Sequence, residues 1–264
     1  MNQLESFSGE GVFATYSRDN LGQLKSVTLN DQVISYALDW DGRRVAKRLN
    51  GVNVSRHTFE SPLRVAMETD EAGAQKHYVY GSGINSPDYM ILNGENFRLI
   101  KDHLGSPRLV ISANTGTIVQ RMDFNEWGEV LFDSNPGFQG FGFAGGLYDQ
   151  DTKLVKFGAR DYSPAVGRWL SKDPILFAGG DANLYGYVLQ DPVNLIDPSG
   201  KIPLAFILFG VVLLIDPSEI SPKIEPQKKP TIPVPNEIQP GVPVEEIKEK
   251  LKENKEFKDR ICLT

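Results

Sequence analysis

The sequence almost lacks cysteine, because its 264 residues include only Cys262. A single cysteine excludes an intrachain disulfide and any cysteine-based zinc site. Histidine is also rare, and no two of His57, His77 and His103 stand at the spacing of metal ligands. We therefore expect no metal ion, and we expect His103 to have a structural role.

Excess positive charge is also lacking. The chain carries 28 Lys and Arg residues against 34 Asp and Glu residues, a formal net charge of -6. Such a chain offers no basic field to a phosphate backbone, so we expect no nucleic-acid partner. Glycine pairs at 145–146 and 179–180 are not followed by Lys-Ser/Thr or a helix start, so we also expect no phosphate-bearing cofactor.

The first ten residues, MNQLESFSGE, contain neither a basic region nor an apolar run. They do not form a secretory signal. Localisation therefore stays open between the cytoplasm and export by a specialised route that this segment does not encode.

Residues 202–215 form an apolar run without charge. A helix of 14 residues spans about 21 Å, whereas a bilayer core requires about 30 Å. This comparison favours a buried helix or strand, and membrane contact by this segment is the less favoured alternative.

The end of the chain has a different composition. Eight of the 17 prolines fall in residues 216–243, which predicts an extended linker, and residues 244–264 predict a charged helix. The 48 residues after Asp216 contain no histidine, and their one cysteine has no nearby base. We therefore expect no enzymatic toxin in this tail.

Residues before 201 show no long helical period. They hold 23 of the 25 glycines, and segments such as LKSVTLN and QVISYALDW alternate apolar and polar residues between turns. This pattern predicts a mainly β fold built from antiparallel hairpins.

A repeat of a large apolar residue, an aspartate and a glycine, each three positions apart, runs through this region. The aspartate accepts hydrogen bonds from turn N–H groups, and the glycine permits positive φ where the chain reverses. The full copies are Tyr16, Asp19, Gly22 and Tyr36, Asp39, Gly42; weaker copies are Met67, Asp70, Gly73 and Met122, Asn125, Gly128; Tyr148 and Asp151 match in part.

This pattern resembles the YD repeats of the RHS family. Four later blocks resemble the RHS repeat-associated core domain and occur in the family's order. They are KDHLGSPRLV (101–110), RMDFNEWGEVL (121–131), FGARDYSPAVGRWLSKD (157–173) and NLYGYVLQDPVNLIDPSG (183–200).

The resemblance implies a long β-sheet that spirals into a hollow shell, with the core domain closing one end. In several family members the segment after the core is an enclosed toxin, and the core releases it by aspartyl autoproteolysis near a DPxGL sequence. Animal teneurins use a similar shell for adhesion.

The family's motif places the autoproteolytic groups on Arg160, Asp161 and Asp173. Two nearby carboxylates with different affinities for a proton provide a base that activates water and an acid that protonates the amide. The resemblance also places the cleavage boundary at Asp197, Gly200 and Lys201, near residues 200–202.

A purely structural alternative remains for these residues. Arg160 forms an ordinary ion pair, and Asp173 and Asp197, which both precede proline, organise turns. Lys201 stands where the family has leucine, and a lysine is costly to bury without a partner. The turn role is favoured for Asp197.

Aromatic residues of the core are expected to pack between sheets rather than line a ligand groove. These residues are Trp127, Tyr148, Tyr162, Trp169, Tyr185 and Tyr187.

The sequence thus predicts a structural segment of an RHS-type toxin-delivery shell that cleaves itself to release its tail. The alternatives are a non-enzymatic cell-surface scaffold or adhesion module and a degenerate orphan fragment. Expected partners are other YD-repeat segments, a second copy and an immunity protein. The predicted divisions are hairpin repeats (1–79), the core domain (80–200), the apolar segment (201–215), the linker (216–243) and the helical tail (244–264).

Overall fold

The structure is a computed structural model that describes residues 6–9, 12–81, 83–201 and 204–205. The chain forms two compact units, with the boundary after Gly210, and all described residues belong to the first unit. The predicted linker and helical tail, and most of the predicted apolar segment, lie outside the described residues.

One antiparallel sheet of 13 strands occupies the first half, and each strand pairs with its neighbours in chain order. The predicted mainly β, antiparallel fold is therefore confirmed. The strands are β1 Ser6–Gly9, β2 Val12–Arg18, β3 Leu24–Leu29, β4 Gln32–Leu38, β5 Arg44–Leu49, β6 Val52–Ser61, β7 Arg64–Asp70, β8 Gln75–Val79, β9 Tyr89–Leu92, β10 Glu95–Lys101, β11 Pro107–Ser112, β12 Ile118–Phe124 and β13 Val130–Asp133.

The predicted aspartate–glycine turns join these strands. In the turn after β4, the Asp39 carboxylate accepts the N–H groups of Asp41 (3.0 Å) and Arg43 (2.9 Å). Gly42 has a φ of +77° and donates its N–H to the Asp39 carbonyl at 3.0 Å. Local hydrogen bonding by the side chain therefore reverses the chain within four residues.

All four predicted triplets with a glycine lie at such turns, which confirms them as the repeat. A fifth turn of the same kind, Leu99–Asp102–Gly105, was missed, although its N–H and carboxylate contacts are the same. The partial match at Tyr148 and Asp151 differs: Asp149 organises this turn, and its carboxylate accepts the N–H of Asp151 at 3.0 Å.

A second sheet of four short strands follows, with β14 Leu147–Tyr148, β15 Val155–Phe157, β16 Arg160–Ser163 and β17 Arg168–Trp169. A two-stranded ladder then joins β18 Leu195–Ile196 to β19 Leu204–Ala205. Short 3-10 helices occupy Phe143–Gly145, Pro164–Val166, Leu176–Gly179 and Val188–Gln190. Most of the second half is thus held by turns and packing rather than by long elements.

Aromatic packing forms the centre of this second half, as the sequence predicts. The rings of Tyr162, Trp169 and Tyr187 are at most 1% exposed. The Tyr162 and Tyr187 ring centroids lie 4.2 Å apart, and Trp169 meets Tyr187 edge-on at 5.2 Å. These contacts fix the chain segments that carry the candidate site described below.

The second half packs against the large sheet in two places. Leu154 and Leu170 join Tyr36 and Ile34 of β4 in one apolar cluster. Phe141 joins the sheet residues around Met90 and Tyr78 in another. The large sheet and the small one therefore share a buried interface.

A buried charge network crosses the same interface. Arg44 of β5, which is 4% exposed, donates from Nη2 to the Asp161 carboxylate at 2.7 Å and stacks on the Tyr36 ring at 3.5 Å. Lys47 donates to Asp149 at 2.6 Å. Burial lowers the pKa of Lys156, and the Asp161 carboxylate 3.5 Å away favours its charged form. The sheet and the second half are thus linked by paired charges.

The division predicted at residues 79 and 80 falls inside the large sheet, because β8 pairs with β9 across it. The sheet ends at Asp133, and the second half begins with the loop that follows. The predicted division into hairpin repeats (1–79) and a core domain (80–200) remains a prediction.

Candidate functional site

A tight loop between β18 and β19 carries the predicted cleavage boundary. Gly200 donates its N–H to the Asp197 carbonyl at 3.2 Å, which closes a turn over Pro198 and Ser199. The Asp197 Oδ1 atom accepts the Ser199 hydroxyl (2.8 Å) and the Lys201 N–H (3.1 Å). The Asp197 carboxylate therefore contacts the amide nitrogen of the Gly200–Lys201 bond.

This loop is clamped against the turn between β15 and β16. Gly200 has a φ of +64°, and a Cβ atom on it would lie 2.5 Å from the Phe157 carbonyl oxygen. Ala159 donates its N–H to the Ser199 carbonyl at 2.9 Å. Glycine is therefore required at position 200 by both backbone conformation and space.

Arg160, the first residue of β16, contacts the loop at residues 197–201 through its side chain. Its Nε–H donates to the Gly200 carbonyl oxygen at 2.6 Å. Its Nη2 lies 2.9 Å from Asp173 Oδ2 and 3.1 Å from Asp197 Oδ2. The guanidinium also stacks on the Trp169 ring at 4.1 Å. One buried cation thus holds two carboxylates and the carbonyl of the predicted boundary.

Asp173 reaches this cluster from the loop after β17. Its own N–H donates to the Leu184 carbonyl at 3.0 Å, and its Oδ1 accepts the Ile175 N–H at 2.9 Å. Burial, with a smaller effect from the Asp197 charge, raises the pKa of Asp173 above its usual 3.8. The protonated form of Asp173 is thereby favoured relative to a carboxyl in water.

Asp161 is not part of the cluster around Arg160. Successive residues of a strand point to opposite faces, so the Asp161 carboxylate points away from the loop that Arg160 binds. It is held by Arg44 and by Lys156, on the side of the large sheet. Its predicted catalytic role remains a prediction that this geometry does not support.

The structure thus brings together most of the predicted site residues: Arg160, Asp173, Asp197, Gly200 and Lys201. Lys201 is exposed, so the predicted cost of burying it does not arise. Sequence reasoning missed Ser199, although a serine two residues after an aspartate is a common turn partner.

His103 forms a hydrogen bond to the backbone of a distant loop. The ring Nε2–H of His103 donates to the Val193 carbonyl at 2.8 Å, a contact that fits the predicted structural role.

Among the described residues, no three His, Cys, Asp or Glu side chains are grouped closely enough to hold a metal ion. No helix within the described part of the chain is long and apolar enough to span a membrane.

Comparison with protein families gives a match over most of the chain. The family model described as "Teneurin YD-shell" matches residues 9–193. The chain belongs to the teneurin YD-shell family. The predicted YD-repeat relationship is therefore confirmed, and the large sheet of this chain is a segment of YD-shell wall.

Individual YD-shell relatives support the same conclusion. Teneurin-3 of Danio rerio is 34% identical over 177 residues, which cover 61% of this chain and 6% of the relative. Teneurin-4 of Homo sapiens is 36% identical over 178 residues, with coverage of 61% and 6%. The chain thus spans less than a tenth of the length of these relatives.

Solved structures share the YD-shell fold at lower identity. The Photorhabdus luminescens Tc holotoxin pore matches with a TM-score of 0.55 and 24% identity, over 72% of this chain and 10% of that one. TcdB2-TccC3 without its hypervariable C-terminal region matches with a TM-score of 0.56 and 22% identity, over 71% and 10%. At this identity the likeness establishes the fold alone.

Proposed function

We propose that this chain forms shell wall at the end of an RHS-type toxin-delivery protein and cuts itself between residues 200 and 202. The observation that carries the proposal is the position of Arg160 between two carboxylates and the Gly200 carbonyl. Membership of the YD-shell family supports the wall role. A structural neighbour whose printed title names a hypervariable C-terminal region supports a variable segment beyond the core.

The cleavage step is hydrolysis of one amide. Water adds to the Gly200 carbonyl carbon while an ionised carboxylate accepts its proton, and the Arg160 Nε–H stabilises the negative charge that develops on the oxygen. The C–N bond then breaks as a protonated carboxyl gives its proton to the Lys201 nitrogen. The products are a carboxylate at Gly200 and an amine at Lys201.

The hydrogen bonds and the burial of Asp173 and Asp197 indicate which carboxyl acts as the acid and which as the base. Asp197 accepts hydrogen bonds from the Ser199 hydroxyl, the Lys201 N–H and Arg160. The Asp173 carboxyl accepts fewer hydrogen bonds, and burial raises its pKa. We therefore assign the role of acid to Asp173 and the role of base to Asp197.

Intact-mass measurement of the purified chain tests the proposal. We expect two products, with a free C-terminal fragment of 64 residues for a cut after Gly200 or 63 residues for a cut after Lys201. The mass of the fragment decides between these two bonds. A single uncut chain after prolonged incubation would refute self-cleavage and leave the wall role intact.

The pH dependence of the cut follows from the pKa of Asp173. Because this pKa is raised, the acid form persists above the usual range and disappears as pH rises further. We expect the rate of cleavage, measured in protein unfolded and then refolded at each pH, to be higher at about pH 5 than at about pH 8. A rate that rises with pH across this interval would contradict Asp173 as the acid.

A scaffold without cleavage is the second candidate function. It is favoured by the same ion pairs, since an arginine between two carboxylates also serves as a static clamp for the loop at 197–201. This candidate predicts a single uncut mass and a stable loop. Both candidates share the shell wall, so the intact mass separates them.

A further inference from the structure

The glycine pair at 179–180 lies at the end of the loop that begins with Asp173. The Leu176 N–H donates to the Asp173 carbonyl at 3.0 Å, and a short 3-10 helix then spans Leu176–Gly179. The backbone of this loop is thus anchored on the residue that we assign as the acid. No part of the mechanism described above uses the glycine pair.

Glycine is needed at these two positions for different reasons. Gly180 has a φ of +85°, which residues with a side chain rarely adopt, but a Cβ atom there would meet nothing within 4 Å. Gly179 has no positive φ. A Cβ atom on Gly179 would instead lie 2.9 Å from Asp173 Oδ2 and 2.9 Å from the Lys201 carbonyl oxygen. Backbone conformation therefore requires glycine at position 180, whereas space requires it at position 179.

The two atoms beside Gly179 belong to the candidate site. Asp173 Oδ2 is the oxygen that lies 2.9 Å from Arg160 Nη2, and the other oxygen of this carboxyl accepts the Ile175 N–H. The Lys201 carbonyl belongs to the main chain of the predicted boundary. A side-chain end yields more easily than main chain, so a methyl group at position 179 would displace chiefly the Asp173 carboxyl, away from Arg160.

We propose that Gly179 is a positioning residue for self-cleavage, because its lack of a side chain lets the Asp173 carboxyl and the main chain at Lys201 share one small space. Both oxygens lie 2.9 Å from the same point, so at most twice that distance separates them. Gly179 gives no group to the reaction and acts through Asp173. This inference rests on the proposed function, since it concerns the same acid and the same boundary.

Gly179→Ala tests the proposal in the full chain. We expect the added methyl group to slow self-cleavage by about tenfold to a hundredfold, because a misplacement of about 1 Å is enough for a loss of this size. Intact mass measured at intervals after refolding gives the rate. Far-UV circular dichroism and the urea midpoint show whether the variant has folded.

Gly180→Asn is the matched control one residue further along the chain. Asparagine enters the left-handed region more readily than most residues with a side chain, and the space around position 180 is open. We expect this variant to cut at the wild-type rate, although it carries the larger substitution. Equal losses in the two variants would overturn the proposal, because any change to the loop would then stop the reaction.

The titration of the Asp173 carboxyl gives a readout that does not depend on cleavage. The Arg160 charge favours ionised Asp173, so a carboxyl displaced from Arg160 has a higher pKa. We expect Gly179→Ala to raise the pKa of Asp173 in an Asp197→Asn background, in which neither chain cuts, and Gly180→Asn to leave it unchanged. Carbon-13 NMR of labelled aspartate follows the titration, and Asp173→Asn assigns the resonance.

These measurements separate the role of Gly179 from the proposed function. A wild-type chain that never cuts refutes self-cleavage, and with it any role of Gly179 in that reaction. A wild-type chain that cuts, together with a Gly179→Ala variant that cuts equally fast, refutes only the role of Gly179. Slower cleavage in Gly179→Ala with an unchanged Asp173 titration would also overturn the proposal, because the methyl group would then act without moving the acid.

Discussion

Asp173→Asn is expected to abolish self-cleavage and to leave one intact chain. Asparagine has the shape of aspartate and still accepts the Ile175 N–H, but it has no acidic proton to transfer to the amide nitrogen. Losing a positioned acid typically slows a reaction by about 10²- to 10⁴-fold. Intact mass of the refolded variant, followed over days, measures the loss.

Three further variants locate the second carboxylate. Asp197→Asn should also abolish the cut, because Asp197 is the proposed base and is bound by the same Arg160 that contacts the Gly200 carbonyl. Asp161→Asn should slow the cut by less than about tenfold, because the Asp161 carboxylate is held by Arg44 on the opposite face. Asp31→Asn, at an exposed aspartate in the turn between β3 and β4, should cut at the wild-type rate and serves as the control.

The outcome for Asp161 is the most informative. Complete loss of cleavage in a folded Asp161→Asn protein, with cleavage retained in Asp197→Asn, would contradict the roles assigned from this geometry. It would support the pair of aspartates that the family motif predicts. Far-UV circular dichroism and the urea midpoint of each variant show whether the chain has folded.

Arg44→Met is expected to lower the free energy of unfolding by about 3–5 kcal/mol, the usual cost of removing one partner of a buried ion pair. Arg44 is 4% exposed and lies between Asp161, at 2.7 Å, and Asp149, at 3.8 Å. Methionine fills the volume but leaves Asp161 with only Lys156. Urea denaturation followed by tryptophan fluorescence measures the loss.

Arg48→Met is the matched control on the same strand. Arg48 is less buried and donates only to the Asn53 side chain, at 3.1 Å. Its replacement should change the free energy of unfolding by about 0.5 kcal/mol or less. Equal effects of the two substitutions would show that the buried network contributes no more than a surface contact.

The hairpins were predictable because their signal is local. An aspartate followed three residues later by glycine supplies both the side-chain acceptor and the positive φ that the turn at Asp39 requires. The turn at Asp102 follows the same rule, with Leu99 as the apolar residue, and a search that admitted leucine would have found it.

The site was predictable only in part. The family motif identified Arg160 and Asp173 but paired them with Asp161. Strand geometry alone places Asp161 on the opposite face from Arg160, provided that residues 160–163 are known to form a strand. No local pattern, however, shows that Asp197 returns to the same arginine.

The sequence by itself determined the repeat, the turns and the antiparallel sheet, since each depends on residues within a few positions of one another. Only the tertiary structure decided which carboxylates meet Arg160. That choice depends on the packing of Tyr162, Trp169 and Tyr187, which brings residues 160, 173 and 197 together across long stretches of chain. Contacts between distant residues follow from the shape of the whole core, which no short motif encodes.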